Sequence, residues 1–255
     1  GGDAMVVRDG VKSPKDLKGK TIAVQAYGPH VDYVMKVLAD AGLSAADVTI
    51  KWLPELTGKD NAPPSAFRDD SSVHAAMVIS PDAFALTSGG KVGTGSEDSV
   101  KGARILLSTK TANRIIADVY AVRSDYFKAH RAEVQKFVYG LLKAEEAVRD
   151  LFKTKGAGYK PMLSASAEIL VGSANATADV EGLYADCEYV GYPGNVKFFT
   201  DAKYPRGLPQ LTNEIQSAFK PLKLIAVAKA LQHAGWDYGK LKAGLVETVA
   251  SETSR

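Results

Sequence analysis

Apolar and polar positions alternate with two different rhythms along this chain. In the first half, short apolar runs of strand length recur between polar turns, at residues 4–7, 20–25, 48–53, 73–79 and 103–107, with a further candidate at 115–122. After the second run, Val31, Val34, Met35 and Leu38 repeat at three- and four-residue spacing, which predicts one face of a helix closed by Gly42. Ser13-Pro14-Lys15-Asp16 predicts a short helical turn, with serine as cap, proline in the first turn and an acid positioned to bond back to the cap. The second half is helical in pattern. Beyond Ser124, the positions Val134, Phe137, Val138, Leu141, Ala144, Val148 and Leu151 form the longest apolar stripe. Shorter helices are expected over 165–172, 178–185, 209–219 and 224–234. The glycine-, serine- and threonine-rich stretch 87–100 predicts a loop or crossover.

Strands alternating with helices predict parallel α/β layers. Strands concentrated early and helices late predict two lobes rather than one continuous sheet. Composition agrees with a folded chain: 255 residues, 45% hydrophobic and 24% charged, hold enough apolar material for one large or two small cores. No run approaches the roughly 20 uninterrupted apolar residues of a membrane span. The formal charge of +3 is scattered rather than massed, which argues against nucleic acid as a partner. A single cysteine, Cys187, forms no internal disulfide and leaves the redox compartment open. The opening Gly1-Gly2-Asp3 has no initiator methionine and no apolar leader, so a targeting segment is expected to lie outside this stretch, which itself is expected to begin inside a domain.

Catalytic and metal-binding patterns are sparse. Gly19-Lys20-Thr21 has proline where a phosphate-binding loop needs its first glycine, and it precedes a strand instead of following one. Gly93-Thr94-Gly95 lacks the third glycine and the strand–turn–helix setting of a dinucleotide fingerprint. His30, His74, His130 and His233 have no second ligand at metal spacing. Ser217-Ala218-Phe219-Lys220 matches a Ser-x-x-Lys nucleophile motif without its companion motifs, and no Gly-x-Ser-x-Gly elbow occurs. The expectation is a protein without catalytic residues, metal or cofactor.

Two strand-to-helix junctions stand out. At Gln25-Ala26-Tyr27-Gly28-Pro29-His30 a strand ends, glycine permits a tight turn, and proline suits the start of a helix whose first N–H groups are free. At Ile79-Ser80-Pro81-Asp82 a second strand ends, with Ser80 expected as cap and Pro81 in the first turn. Each is compatible with an ordinary βα turn or with a ligand contact. Both sit at carboxyl ends of strands expected to be parallel, where open α/β sheets bind ligands. Asp118 interrupts the apolar run 115–122, and alternation alone leaves it facing either solvent or a cleft.

The phrases Asp3-Ala4-Met5-Val6-Val7 and Ser13-Pro14-Lys15-Asp16-Leu17-Lys18-Gly19-Lys20-Thr21-Ile22-Ala23-Val24 resemble the extracytoplasmic solute-binding proteins of ABC importers, in their nitrate/sulfonate/taurine-like branch. Leu38-Ala39-Asp40-Ala41-Gly42-Leu43, Asp47-Val48, Val73-His74-Ala75-Ala76 and Pro81 continue the likeness. The ordering is also similar to a phosphate-type subset found joined to OmpA-like domains. The resemblance implies a two-lobed α/β fold of the periplasmic-binding-protein type (type II), with the start of the first lobe missing: residues 1–20 and 111–255 in one lobe, 21–110 in the other. It places Gln25, Tyr27, Gly28 and His30 at one loop of a ligand cleft and Ser80, Pro81 and Asp82 at a second, with Asp118 as a further candidate. Gly28-Pro29-His30 stands where family members often carry Gly-Ser or Gly-Thr, so the hydroxyl that commonly meets an anion is absent.

The expected function is capture of a small polar solute, an anion, a sulfonate or an amino-acid-like molecule, for delivery to an ABC permease. The expected location is the periplasm or cell envelope, with membrane contact only through the permease or an outside anchor. Two alternatives stay open: an envelope sensor or scaffold on the same fold, and a cofactor-biosynthetic enzyme, which would need clustered cysteine or histidine.

Overall fold

The structure, a computed structural model, describes residues 2–58, 60–111 and 116–244. Five strands, β1 (Asp3–Val7), β2 (Thr21–Gln25), β3 (Thr49–Leu53), β4 (Ala75–Ile79) and β5 (Arg104–Ser108), form one sheet in the order β3-β2-β4-β1-β5. Side chains alternate across a strand, so the apolar runs supply two cores at once. Met5, Val7, Ile22, Val24, Ala75 and Met77 face one core, and Ala4, Val6, Ala23, Ala76 and Val78 face the other. Helix α1 (His30–Asp40) covers the first face with Val31, Val34, Val37 and Leu38. Helices α2 (Pro63–Asp69) and α3 (Ser80–Leu86) cover the second with Phe67, Ala83 and Leu86. Gly42, at φ +74, takes the left-handed conformation that ends α1, and the Leu43 amide closes back on the Leu38 carbonyl at 2.8 Å.

Local bonding explains where the strands begin. Before β2 the Asp16 carboxylate accepts from the amides of Lys12 and Ser13 at 2.9 and 2.8 Å, and before β3 Asp47 accepts from the Ser44 amide at 2.9 Å. The hydrogen bonds hold both carboxyls below the ordinary aspartate range. Arg8, just past β1, donates to the carbonyls of Val73, Phe67 and Asp70, and its guanidinium lies 4.7 Å from the Phe67 ring centre. One side chain thereby ties the end of β1 to the α2–β4 connection.

The sheet is mixed rather than parallel. β2 runs parallel to β3 and β4, as expected, but β1 runs antiparallel to both its neighbours, with Asp3 opposite Ile79 and Ala4 opposite Ser108. Apolar alternation reports faces and not direction, so nothing in the run 4–7 signals the reversal.

The chain forms two compact units, residues 1–117 with 211–230, and residues 118–210 with 231–255. The expected division, 1–20 with 111–255 against 21–110, differs because β1 pairs inside the sheet of the first unit. The returning segment adds Phe219, Leu222 and Leu224 to the first core. In the second unit the described elements are helical: α4 (Ser124–Ala129), α5 (Arg131–Thr154), α6 (Tyr159–Val171), α7 (Thr177–Ala185), α8 (Gly191–Thr200) and α10 (Tyr238–Lys242), with α9 (Leu208–Phe219) running on into the first. Tyr159, Leu163, Ala167 and Val180 form one small core there, and Leu142, Tyr192 and Leu241 another.

Several expectations change. The candidate strand 115–122 is irregular over its described part, 116–122, and no described segment of that unit is a strand to pair with it. The helix expected over 224–234 is absent, and irregular chain runs there instead. Helices α2, α8 and α10 were not expected, because Pro63-Pro64 and Gly191, Pro193 and Gly194 read as turn signals although proline is at home in a first turn.

Phe67 is fully buried between sheet and helices. Phe67→Ala is expected to destabilise the first unit by about 3–5 kcal/mol. Urea denaturation followed by Trp52 fluorescence, in a Trp236→Phe background, measures this, and Ile169→Ala, at an exposed position, is expected to stay within about 0.5 kcal/mol of wild type.

Candidate functional site

In the parallel trio β3-β2-β4, β2 passes through α1 to β3 on one side, whereas β4 passes through α3 toward β5 on the other. α1 packs on one face of the sheet and α3 on the opposite face, so the loops leaving β2 and β4 turn to opposite sides at neighbouring strand ends. Such a switch point is the standard ligand position of open α/β sheets. Both junctions singled out in the sequence lie at this carboxyl edge.

At the first junction the Ala26 amide donates to the Leu53 carbonyl at 2.9 Å, and Tyr27 follows with φ +62 and 68% of its surface exposed. A left-handed conformation at a bulky residue costs on the order of 1–2 kcal/mol, so its surroundings must hold it. A Cβ at Gly28 would meet the Gln25 amide oxygen, so any larger residue there displaces the Gln25 side chain. Gln25 in turn donates to the Pro54 carbonyl at 3.4 Å. Pro29 precedes α1, and no side chain caps the helix.

His30 corrects the expectation of a direct contact. It is wholly buried, and its Nε2 meets the Asp3 carboxylate at 2.9 Å, while Nδ1 finds no partner among the described residues. Asp3 is itself clamped by Thr109, whose hydroxyl receives the Asp3 amide at 3.0 Å and whose amide donates to the Asp3 carbonyl at 2.9 Å. Burial first, and the Asp3 charge second, push the nearby Tyr33 hydroxyl up to about 12.

At the second junction the cap is Ile79, and Ser80 is the first residue of α3, buried, with its amide donating to the Gly2 carbonyl at 2.7 Å. Ser80 therefore does not serve as the cap expected of it. Pro81 is exposed in the first turn. Asp82 is half-buried, and its Oδ2 is enclosed without a partner. Burial raises the carboxyl above the usual aspartate range, against a smaller lowering by a hydrogen bond from Thr57.

Gln25, Tyr27, Gly28, His30, Ser80, Pro81 and Asp82 thus gather at one end of one sheet. Asp118 belongs to the second unit, exposed on irregular chain and not on a strand. The reading of residues missed Asp3 and Thr109, which an antiparallel strand and the end of β5 bring to the same edge; the Asp3-Ala4 phrase was the available signal. Two open hollows lie elsewhere. One of about 440 Å³ lies beside Phe84, Ser88, Thr94 and Ser99, and one of about 650 Å³ is lined by Ala121, Val122, Arg123, Asp125, Tyr126 and Ala129. Among the described residues no group of three or more histidine, cysteine or acidic side chains is placed to hold a metal.

A family model described as NMT1/THI5 like matches residues 4–150. No curated protein matches the chain. Among solved structures it is similar to the periplasmic aliphatic sulphonate binding protein SsuA from Escherichia coli, at 18% identity and TM-score 0.52, covering 92% of this chain and 68% of that one. It is similar also to the alkanesulfonate-binding protein SsuA from Xanthomonas axonopodis pv. citri bound to MOPS, at 20% identity and TM-score 0.54, covering 90% and 67%. At this identity the likeness establishes a shared periplasmic-binding-protein-like α/β fold.

An acid with a raised folded-state pKa binds its proton more tightly folded than unfolded, so it opposes folding increasingly as pH rises through the carboxylate range. Asp82→Asn is accordingly expected to be more stable than wild type at pH 7, with the difference closing toward pH 3. Denaturant midpoints at the two pH values measure this; an equal effect at both would show that Asp82 carries no burial penalty.

Proposed function

Since this chain belongs to the NMT1/THI5-like family, we propose that it is an extracytoplasmic solute-binding protein that captures a small polar or anionic solute for uptake by an ABC transporter. What supports this reading is that the neighbouring strands β2 and β4 end at one edge with their helices on opposite faces of the sheet, so that Tyr27, Gly28 and Asp82 share the carboxyl edge where open α/β sheets bind ligands. The fold shared with two sulfonate-binding proteins supports a ligand of that size and polarity.

In this reading the turn offers the amides of Tyr27 and Gly28, Pro29 having none, together with an exposed aromatic ring, which suits a solute with one charged or polar end and one apolar end. Asp82 supplies an acceptor at the same edge and favours a solute that also carries a donor. The solute is bound and released unchanged, and the relatives of this fold named above are binding proteins.

Thermal unfolding with millimolar MOPS, short alkanesulfonates, nitrate, sulfate and free amino acids tests the reading. At least one is expected to raise the midpoint, as any ligand selective for the folded state does. Tyr27→Ala is expected to leave the ligand-free midpoint near wild type and to weaken that ligand by about tenfold or more, roughly 1.4 kcal/mol. A flat response across the panel would falsify the solute-binding reading, and turnover of any compound in it would overturn release of the solute unchanged.

A further inference from the structure

His30 is fully buried, yet it sits three residues after Tyr27, whose left-handed backbone must be held in place by something. Upstream, the turn is fastened by the bond from the Ala26 amide to the Leu53 carbonyl at 2.9 Å. Downstream, the local bonds are weaker: the Val31 amide to Gly28 at 3.2 Å and the Tyr33 amide to Pro29 at 3.5 Å, with no capping side chain. Val31 and Val34 pack the start of α1 into the first core, and the imidazole adds a polar tie, reaching out of α1 to the Asp3 carboxylate at 2.9 Å. Asp3 is fixed in turn, in the ladder opposite Ile79 and through three bonds with Thr109.

We propose that His30 and Asp3 form a positioning pair that pins the Tyr27–Pro29 turn in its solute-facing conformation. The pair touches no solute. It transmits the rigidity of the sheet centre to the one strained residue of the site, so its loss frees Tyr27 to relax toward an ordinary backbone conformation. Where the turn's conformation matters to binding, the inference rests on the solute-binding reading above; the pinning itself does not.

Two arms separate the claims. In the first, amide hydrogen exchange compares peptides covering residues 26–31 with peptides from β2 and β4. His30→Leu is expected to speed exchange in the turn by about tenfold while β2 and β4 stay within about threefold of wild type. His30→Gln, whose amide nitrogen still donates to Asp3, is expected to restore protection. Asp3→Ala, at a partly exposed side chain, serves if His30→Leu does not fold, and is expected to loosen the same turn. Unchanged protection of the turn, or equal loosening of turn and strands, overturns the positioning role.

In the second arm, MOPS is titrated against the same variants. Affinity is expected to fall about tenfold in His30→Leu and to return within about threefold in His30→Gln. Loss in both variants alike sinks the pair as a positioning device, because bulk at residue 30 alone would then explain it. If wild type binds neither MOPS nor any other panel member, the solute reading fails while the exchange arm still decides the pair.

Discussion

The pairing of an antiparallel strand in the interior of an otherwise parallel sheet sets the geometry of the first unit. With β1 lodged between β4 and β5, the chain leaving β4 must cross over β1 before it rejoins the sheet, and it does so on the face opposite α1. The two loops at the carboxyl edge consequently lead to opposite faces of the sheet. Met5, Val6 and Val7 are fully enclosed, so apolar burial on both faces as well as two ladders of hydrogen bonds hold this strand.

Along that edge the structure sorts residues by depth. His30, Ser80 and Asp3 anchor, while Tyr27 and Pro81 are exposed. Asp82 stands between the two groups, with one oxygen enclosed and unsatisfied. Proteins commonly retain such costs where function needs the group, and stability alone would favour an amide or an apolar side chain here.

Much of the first unit was legible in the order of residues because period-two alternation and paired turn signals both report local geometry. The strands 20–25, 48–53, 73–79 and 103–107 correspond to β2 through β5, and the helix after Pro29 to α1. What alternation cannot report is partner and direction, so the reversal of β1 and its place between β4 and β5 were invisible. The run 115–122 illustrates the converse: apolar residues with no strand to pair with remain irregular over 116–122. Of the site, position along the sheet edge was legible and depth was not. His30 at the head of a helix looks like a contact until the fold shows β1 lying beneath it.

Finally, the segment 211–230 packs Phe219, Leu222 and Leu224 against a core whose other members lie between Met5 and Ile116. A polypeptide emerging amino end first therefore exposes one oily flank of its sheet until the segment from Phe219 to Leu224, about a hundred residues after Ile116, has appeared. During that interval the exposed flank is a natural surface for a holding chaperone, and completion of the first core is timed by the arrival of the segment 211–230.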